Sequence, residues 1–319
     1  MTAAKIDPEI ARFIEGVAAS YARHPAFDTL PPAEARAVAE DVRAPWTKGG
    51  PAMADTRALS VPFGAGGVRV RIHRPSTEGP LPALVYVHGG GWMIFSLDTH
   101  DRLMREYAAG AGIAVIGVDY SLSPEAKFPR AIEETAAVVR WLAAHGAEAG
   151  IDGTRLALGG DSAGAHISAA TALMLRDAGE KDLLRGLVLN YGVFDDDFSR
   201  PSYARYGGGE YTLSVDEMRL FWRQHLPEDG AAGNPLARPL RARLDGLPPA
   251  LLVVTEIDPL HDESLAMARA LRAAGVPAEA TVYPGTTHGF LEAMSVAEVS
   301  RRAIADTARW LSGRLHGQG

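Results

Sequence analysis

The pentapeptide Gly160-Asp161-Ser162-Ala163-Gly164 sets one serine between two glycines, after the apolar run LALGG and before an alanine-rich stretch. A strand turning abruptly into a helix at that serine would hold it in a strained backbone conformation with its hydroxyl exposed. Side chains two residues away on either side would collide in such a turn, which accounts for glycine at 160 and 164. The serine would also stand at a helix N-terminus, where free N–H groups and the helix dipole favour developing negative charge. This is the chemistry of a nucleophile in acyl transfer. The bland reading is a glycine-rich strand–helix turn with an idle serine, and the pattern alone does not exclude it.

A second glycine cluster, His88-Gly89-Gly90-Gly91-Trp92, follows the apolar run ALVYV. Consecutive glycines let backbone N–H groups close on a ligand, as acyl transfer requires where a carbonyl oxygen becomes an oxyanion. A phosphate cradle is the rival reading, but it would want a cation nearby, and residues 81–99 contain no Lys or Arg. His88 itself reads as structural.

A serine nucleophile needs a base, and the base needs an orienting acid. Among ten histidines, His288 stands out in the loop Gly285-Thr286-Thr287-His288-Gly289-Phe290, just after an apolar run. Asp258 ends the run ALLVVTEI and precedes Pro259. Ser162, Asp258 and His288 therefore each follow a strand-like segment. His166, one helical turn beyond Ser162, is expected to pack. His261 and Asp262 are expected to begin the next helix, and His100-Asp101 to cap one. His225 lies in an irregular stretch. No HExxH spacing occurs, so no metal and no cofactor are expected. Asp195-Asp196-Asp197 lacks the EF-hand pattern and reads as a solvated loop. Trp92 and Phe290 adjoin the two loops and are candidates for a substrate pocket. Asp161 and Glu256 are expected to make supporting hydrogen bonds near the serine.

The elements that must position these residues are legible from hydrophobic period. Helices are expected over 7–22, 32–43, 101–110, 129–145, 163–178, 264–274 and 296–315. Strands are expected over 59–63, 68–74, 83–87, 114–119, 155–159, 186–191, 250–255 and 278–283. Apolar strands alternating with helices imply an α/β fold with a mostly parallel sheet covered on both faces. Residues 194–243 break the rhythm and read as an insertion over the sheet, with a helix over 215–226 and aromatics that mainly pack.

A chain of 319 residues fits one large α/β domain. Apolar residues at 47% and charged residues at 22% are globular values, which exclude long disorder. The absence of cysteine excludes a thiol nucleophile, thiolate-bound zinc and iron–sulfur clusters. Lys and Arg total 32 against 39 Asp and Glu, a balance that argues against a nucleic-acid partner. No apolar run approaches the roughly 18 residues of a membrane helix. The opening MTAAKIDPEIARF lacks the apolar core of a signal peptide, so a cytoplasmic protein with no membrane partner is expected.

Together, HGGGW, DYSLSPEAKFPRAIEE (119–134), GDSAG, DPLHDE (258–263) and HGF (288–290) resemble the hormone-sensitive-lipase family of carboxylesterases, bacterial family IV. LDTHDRLM (97–104) and YSLSPEAKFP are closest to the bacterial acetyl esterases within it. The resemblance runs from about Leu59 onward. It implies an α/β-hydrolase fold: an eight-stranded, mostly parallel sheet flanked by helices, in one domain over 1–319. It also implies a helical cap from about 1–50 and 194–243. It implies a triad in the family order Ser162, Asp258, His288, and oxyanion donors at Gly90, Gly91 and Ala163. It implies a small-molecule ester as substrate and allows a homodimer. The sequence departs from many relatives at His261, where they have Arg, and in DYSLSPE, where they have DYRLAPE. Neither departure touches the triad; both bear on substrate preference. Deacetylase, lactonase or amidase chemistry would use the same triad. A non-catalytic binding module on this fold, as in the gibberellin receptors, lacks the histidine that stands here as His288.

Overall fold

The computed structural model describes residues 5–26 and 29–317. Residues 1–4 and 27–28 of the expected cap, and 318–319 at the end of the expected domain, lie outside the described residues. Two helices come first, α1 (Pro8–Tyr21) and α2 (Pro32–Arg43), followed by the hairpin β1 (Asp55–Val61) and β2 (Val68–Arg74). Alternation then sets in: β3 (Leu81–Val87), α3 (Asp101–Ala111), β4 (Ala114–Asp119), α4 (Arg130–His145), β5 (Ile151–Asp161), α5 (Ala163–Asp177) and β6 (Leu184–Asn190). The irregular stretch carries α6 (Pro201–Tyr206) and α7 (Val215–His225). The chain ends with β7 (Ala250–Ile257), α8 (His261–Ala273), β8 (Ala278–Thr287) and α9 (Glu298–His316).

The eight strands form one sheet in the order β1-β2-β4-β3-β5-β6-β7-β8. β2 runs antiparallel to both its neighbours, and every other adjacent pair from β4 to β8 is parallel. Successive side chains of a strand point to opposite faces, and the core divides accordingly. Ala83, Val85 and Val87 of β3 join one apolar cluster with α4, α5 and α8. Leu84 and Tyr86 join the other, with α1, α3 and α9. Central strands buried on both faces read as unbroken apolar runs, which is why the sequence marks them well.

The edges and the insertion differ from expectation. β1 spans 55–61 instead of 59–63, because it is an exposed edge strand whose polar start, Asp55-Thr56-Arg57, carries no burial pattern. β5 is 11 residues long and begins at Ile151-Asp152-Gly153-Thr154, a stretch that reads as a turn, and its pairing with β3 shifts register there. α6 is a single short helix opened by Pro201, too brief to show a period. The solvated-loop reading fails at Asp195, which is buried and pairs with Arg200 and Arg241; Asp196 is partly exposed and pairs with Arg238 and Arg241, and Asp197 accepts the Ser199 N–H and hydroxyl. Among the described residues, no helix is long and apolar enough to cross a membrane.

Candidate active site

Ser162 occupies the turn between β5 and α5 with φ 53° and ψ −119°, a region that L residues enter only under strain. Its geometry is held from both sides. The Ser162 N–H donates to the Asn190 carbonyl at 2.9 Å, across to β6. A Cβ at Gly160 or Gly164 would stand closer than 3.0 Å to the Val87 carbonyl of β3. Glycine at both positions therefore lets the elbow press against the sheet.

His288 follows β8 and Asp258 follows β7, so neighbouring strand ends bring them to the serine. His288 Nε2 lies 2.9 Å from Ser162 Oγ, and Nδ1 lies 2.9 Å from Asp258 Oδ2. A carboxylate only accepts, so Nδ1 carries the proton and Nε2 offers a lone pair to the serine hydroxyl. Asp258 is fully buried and is fixed by the Thr255 hydroxyl at 2.5 Å and the Leu260 N–H at 2.8 Å. The Tyr191 ring meets the imidazole edge-on, with centroids 5.1 Å apart. Burial disfavours the imidazolium, but Asp258 beside it, with Asp161 and Glu292 farther off, outweighs burial and holds the His288 pKa above its ordinary value.

The glycine loop lies beside this array. Gly90 and Gly91 have φ of 105° and 57°, values that suit glycine, and Ala163 is the first residue of α5. The loop is braced from beneath: the Asp161 carboxylate accepts the Gly89 N–H at 3.1 Å, and the Tyr120 hydroxyl donates to the His88 carbonyl at 3.0 Å. His88 is buried, stacks on Tyr120 at 4.5 Å, and is kept neutral by burial, its pKa pushed down to about 3.

The other singled-out residues fall as follows. His166 packs under α7, accepting from Trp92 Nε1 at 3.1 Å and donating to the Ala237 carbonyl at 3.2 Å. Trp92 is 1% exposed and stacks on His225 at 4.3 Å. Phe290 is fully buried against Tyr191 and Tyr283. Both rings belong to the packing behind the loops rather than to an open surface. His100 does hold the N-cap position of α3, with Asp101 in the first turn, but its side chain makes no cap bond and turns instead toward Asp161. Glu256 does not support the elbow; it accepts the Gly285 N–H at 2.7 Å and so steadies the His288 side. His261 does begin α8.

Two contacts reach the site from outside the sheet. Phe221 of α7 covers Gly91 so closely that a Cβ there would collide with the ring. Arg43 of α2 pairs with Glu292 at 2.5 Å, and its guanidinium lies 5.0 Å from the Phe95 ring centroid. A Cβ at Gly90 would in turn strike Phe95. Tyr191, Thr255 and Arg43 carry no motif of their own, so the sequence offered no signal for them; Tyr120 lies in DYSLSPE, and Phe221 is one of the aromatics of the 194–243 insertion.

Comparison with known proteins agrees with this geometry. The family model described as alpha/beta hydrolase fold matches residues 84–292. An acetyl esterase of Salmonella choleraesuis is 35% identical over 274 residues, covering 85% of this chain and 83% of that protein. An ethyl acetate hydrolase of Pseudomonas putida is 38% identical over 250 residues, covering 77% and 78%. The esterase of the archaeon Pyrobaculum calidifontis superposes with a TM-score of 0.91 at 32% identity, covering 97% of this chain and 98% of that one. With a family model matched over residues 84–292, relatives at 35–38% identity over most of the chain and a superposition at TM-score 0.91, the chain belongs to the α/β-hydrolase family, in its hormone-sensitive-lipase-like branch of carboxylic-ester hydrolases.

Proposed function

We propose that the protein is a serine carboxylesterase that hydrolyses short-chain acyl esters, acetyl to butyryl, through an acyl-enzyme. The observation that carries this is the unbroken hydrogen-bonded line Ser162–His288–Asp258, with 2.9 Å at each step. His288 Nε2 takes the Ser162 proton as Oγ attacks the carbonyl carbon, and Asp258 holds the imidazole and balances the imidazolium. The Gly90, Gly91 and Ala163 N–H groups receive the oxyanion. His288 then protonates the departing alcohol and, in the second half, activates the water that frees the acid.

Support for short acyl chains comes from relatives named for acetyl ester and ethyl acetate hydrolysis, and from the helical segments packed over the site. Residues 1–50 and 194–243 act in this reading as a cap, since Phe221 covers Gly91 and Arg43 lies on Phe95, which abuts Gly90. Trp92 and Phe290 shape the pocket from behind. A cytoplasmic setting and a homodimer complete the proposal, and sedimentation of the purified chain tests the latter.

The deciding experiment is hydrolysis of p-nitrophenyl esters from acetate to laurate, with Ser162→Ala in parallel. A rate peak at two to four carbons, abolished in the variant, is the expected result. Rates rising toward laurate would reject the short-chain reading. Full activity in Ser162→Ala would reject the nucleophile.

A further inference from the structure

Asp161, the residue before the nucleophile, is 5% exposed, and both its carboxylate oxygens are engaged beneath the oxyanion loop. Oδ1 accepts the Tyr86 hydroxyl at 2.7 Å and the Gly89 N–H at 3.1 Å. His100 Nε2 lies 3.3 Å from either oxygen. Carboxylate oxygens only accept, so Nε2 carries a proton. The other ring nitrogen, Nδ1, lies 2.9 Å from Thr99 Oγ1. That hydroxyl accepts the Ser96 N–H at 3.1 Å and lies 2.9 Å from the Ser96 carbonyl, to which it can donate its single proton. With the proton so placed, Thr99 Oγ1 can only accept from Nδ1. Both ring nitrogens are then donors, a state only the imidazolium provides.

We propose that His100 is a buried imidazolium, a positioning residue whose Nε2–H locks Asp161 while its Nδ1–H anchors the ring on Thr99, so that Asp161, through Gly89, holds the oxyanion loop against the nucleophile elbow. Its catalytic consequence rests on the proposed roles of Ser162 and the loop glycines; its charge state does not. The physical need is plain. Asp161 adjoins Ser162, and a bare buried carboxylate there would oppose the negative charge that develops on the substrate oxygen. An imidazolium 3.3 Å from that carboxylate cancels it in place.

The surroundings bear this out from every packed element. β5 contributes Asp161 and β3 contributes Tyr86, while the loop after β3 contributes neutral His88, whose ring centroid is 5.5 Å away. α2 contributes Glu40 and Arg43, and the turn after His288 contributes Glu292. Burial opposes charge on His100, and Arg43 adds to that. Asp161 foremost, then Glu292, outweigh both and raise the His100 pKa. Reciprocally, burial would raise Asp161, but His100 and the Tyr86 hydroxyl hold it below its ordinary value. The packing is close at the glycine too: a Cβ at Gly89 would stand closer than 3.0 Å to the Asp161 carboxylate.

The test is long-range proton–nitrogen correlation on ¹⁵N-histidine-labelled protein at pH 7.5, where a histidine of ordinary pKa near 6.5 is about nine-tenths neutral. His100 is assigned by the resonances lost in His100→Gln. The expected result is two protonated ring nitrogens on His100, collapsing to the neutral pattern in Asp161→Asn. One protonated and one bare nitrogen in the wild type would overturn the proposal. Kinetics supply the functional arm. His100→Gln keeps a neutral donor toward Asp161, and kcat should fall about 10- to 100-fold with KM held within about twofold, a misaligned oxyanion loop being the cause. His100→Gln with unchanged kcat would remove the positioning role. If instead Ser162→Ala retained ester turnover, the catalytic reading would fall while the spectrum still decided the charge of His100.

Discussion

Ser162, the proposed nucleophile, stands in a strained backbone conformation at φ 53°, with its hydroxyl 2.9 Å from His288 Nε2. His288 is held in one tautomer by Asp258 at 2.9 Å, and Asp258 by Thr255 and Leu260. Two expectations belong to this scale. Asp258→Asn should lower kcat by about ten-thousandfold with little loss of folding, because the amide favours the wrong imidazole tautomer. Ester hydrolysis by the purified variant, with its thermal unfolding, checks both parts. The base must be neutral to act, and Asp258 outweighs burial in raising the His288 pKa. The acid limb of kcat/KM should therefore lie above the ordinary histidine value of about 6.5. A pH–rate series from about 5 to 9 reads it, and a limb below 6.5 would contradict the assignment. The proposed triad was legible because each member follows an apolar run; Tyr191 and Thr255 were not, because an aromatic or a threonine in a strand is ordinary core composition.

At the scale of elements, one of the helical segments outside the α/β alternation touches the glycine loop directly, and the other reaches it through Phe95. α7 lays Phe221 over Gly91, and α2 sends Arg43 to Glu292 and Phe95. Phe221→Ala should cost about 3 kcal/mol, as for a large ring lost from a packed site. It should also lower kcat/KM; urea unfolding beside ester kinetics reads the two effects. Arg43→Met keeps apolar contact but leaves Glu292 unpaired, with both partners only 12% exposed. A loss of about 2 kcal/mol is expected, below the cost for a fully buried pair. Restoration of part of it by adding Glu292→Gln would identify the unpaired charge as the cause. These contacts were invisible in the sequence because α2 and α7 are amphipathic helices like any other, and their docking depends on where the loop lies.

At the scale of the molecule, three buried histidines make stability depend on pH. Burial drives His88 down to about 3, His166 down to about 4, and His225 well below its ordinary value. Each is neutral when folded and gains a proton when unfolded below about 6.5. Their contribution is present above that pH and is lost as pH falls toward the folded values. His100 and His288 act oppositely: their raised pKa values add stability below about 6.5 that is lost as pH rises through the folded values. His88 and His166, taken down to about 3 and about 4, and His225, taken well below its ordinary value, are the larger departures among these histidines and set the sign. The melting temperature should fall steadily from about pH 6.5 to about 4. A flat profile over that range in scanning calorimetry would contradict it.

The sequence by itself determined the α/β alternation, the central strands, the elbow, the glycine loop and the order Ser162, Asp258, His288. Those features are local: an apolar run buried on both faces, a glycine forced by close approach, a polar residue at a strand end. Tertiary structure alone decided the start of β1 and β5, the role of His100, the ion pairs of Asp195 and Asp196, and the burial of Trp92 and Phe290. Each of these depends on what another segment brings alongside. His100 reads as a helix cap until β5 places Asp161 3.3 Å from its ring, and no spacing along the chain encodes that distance.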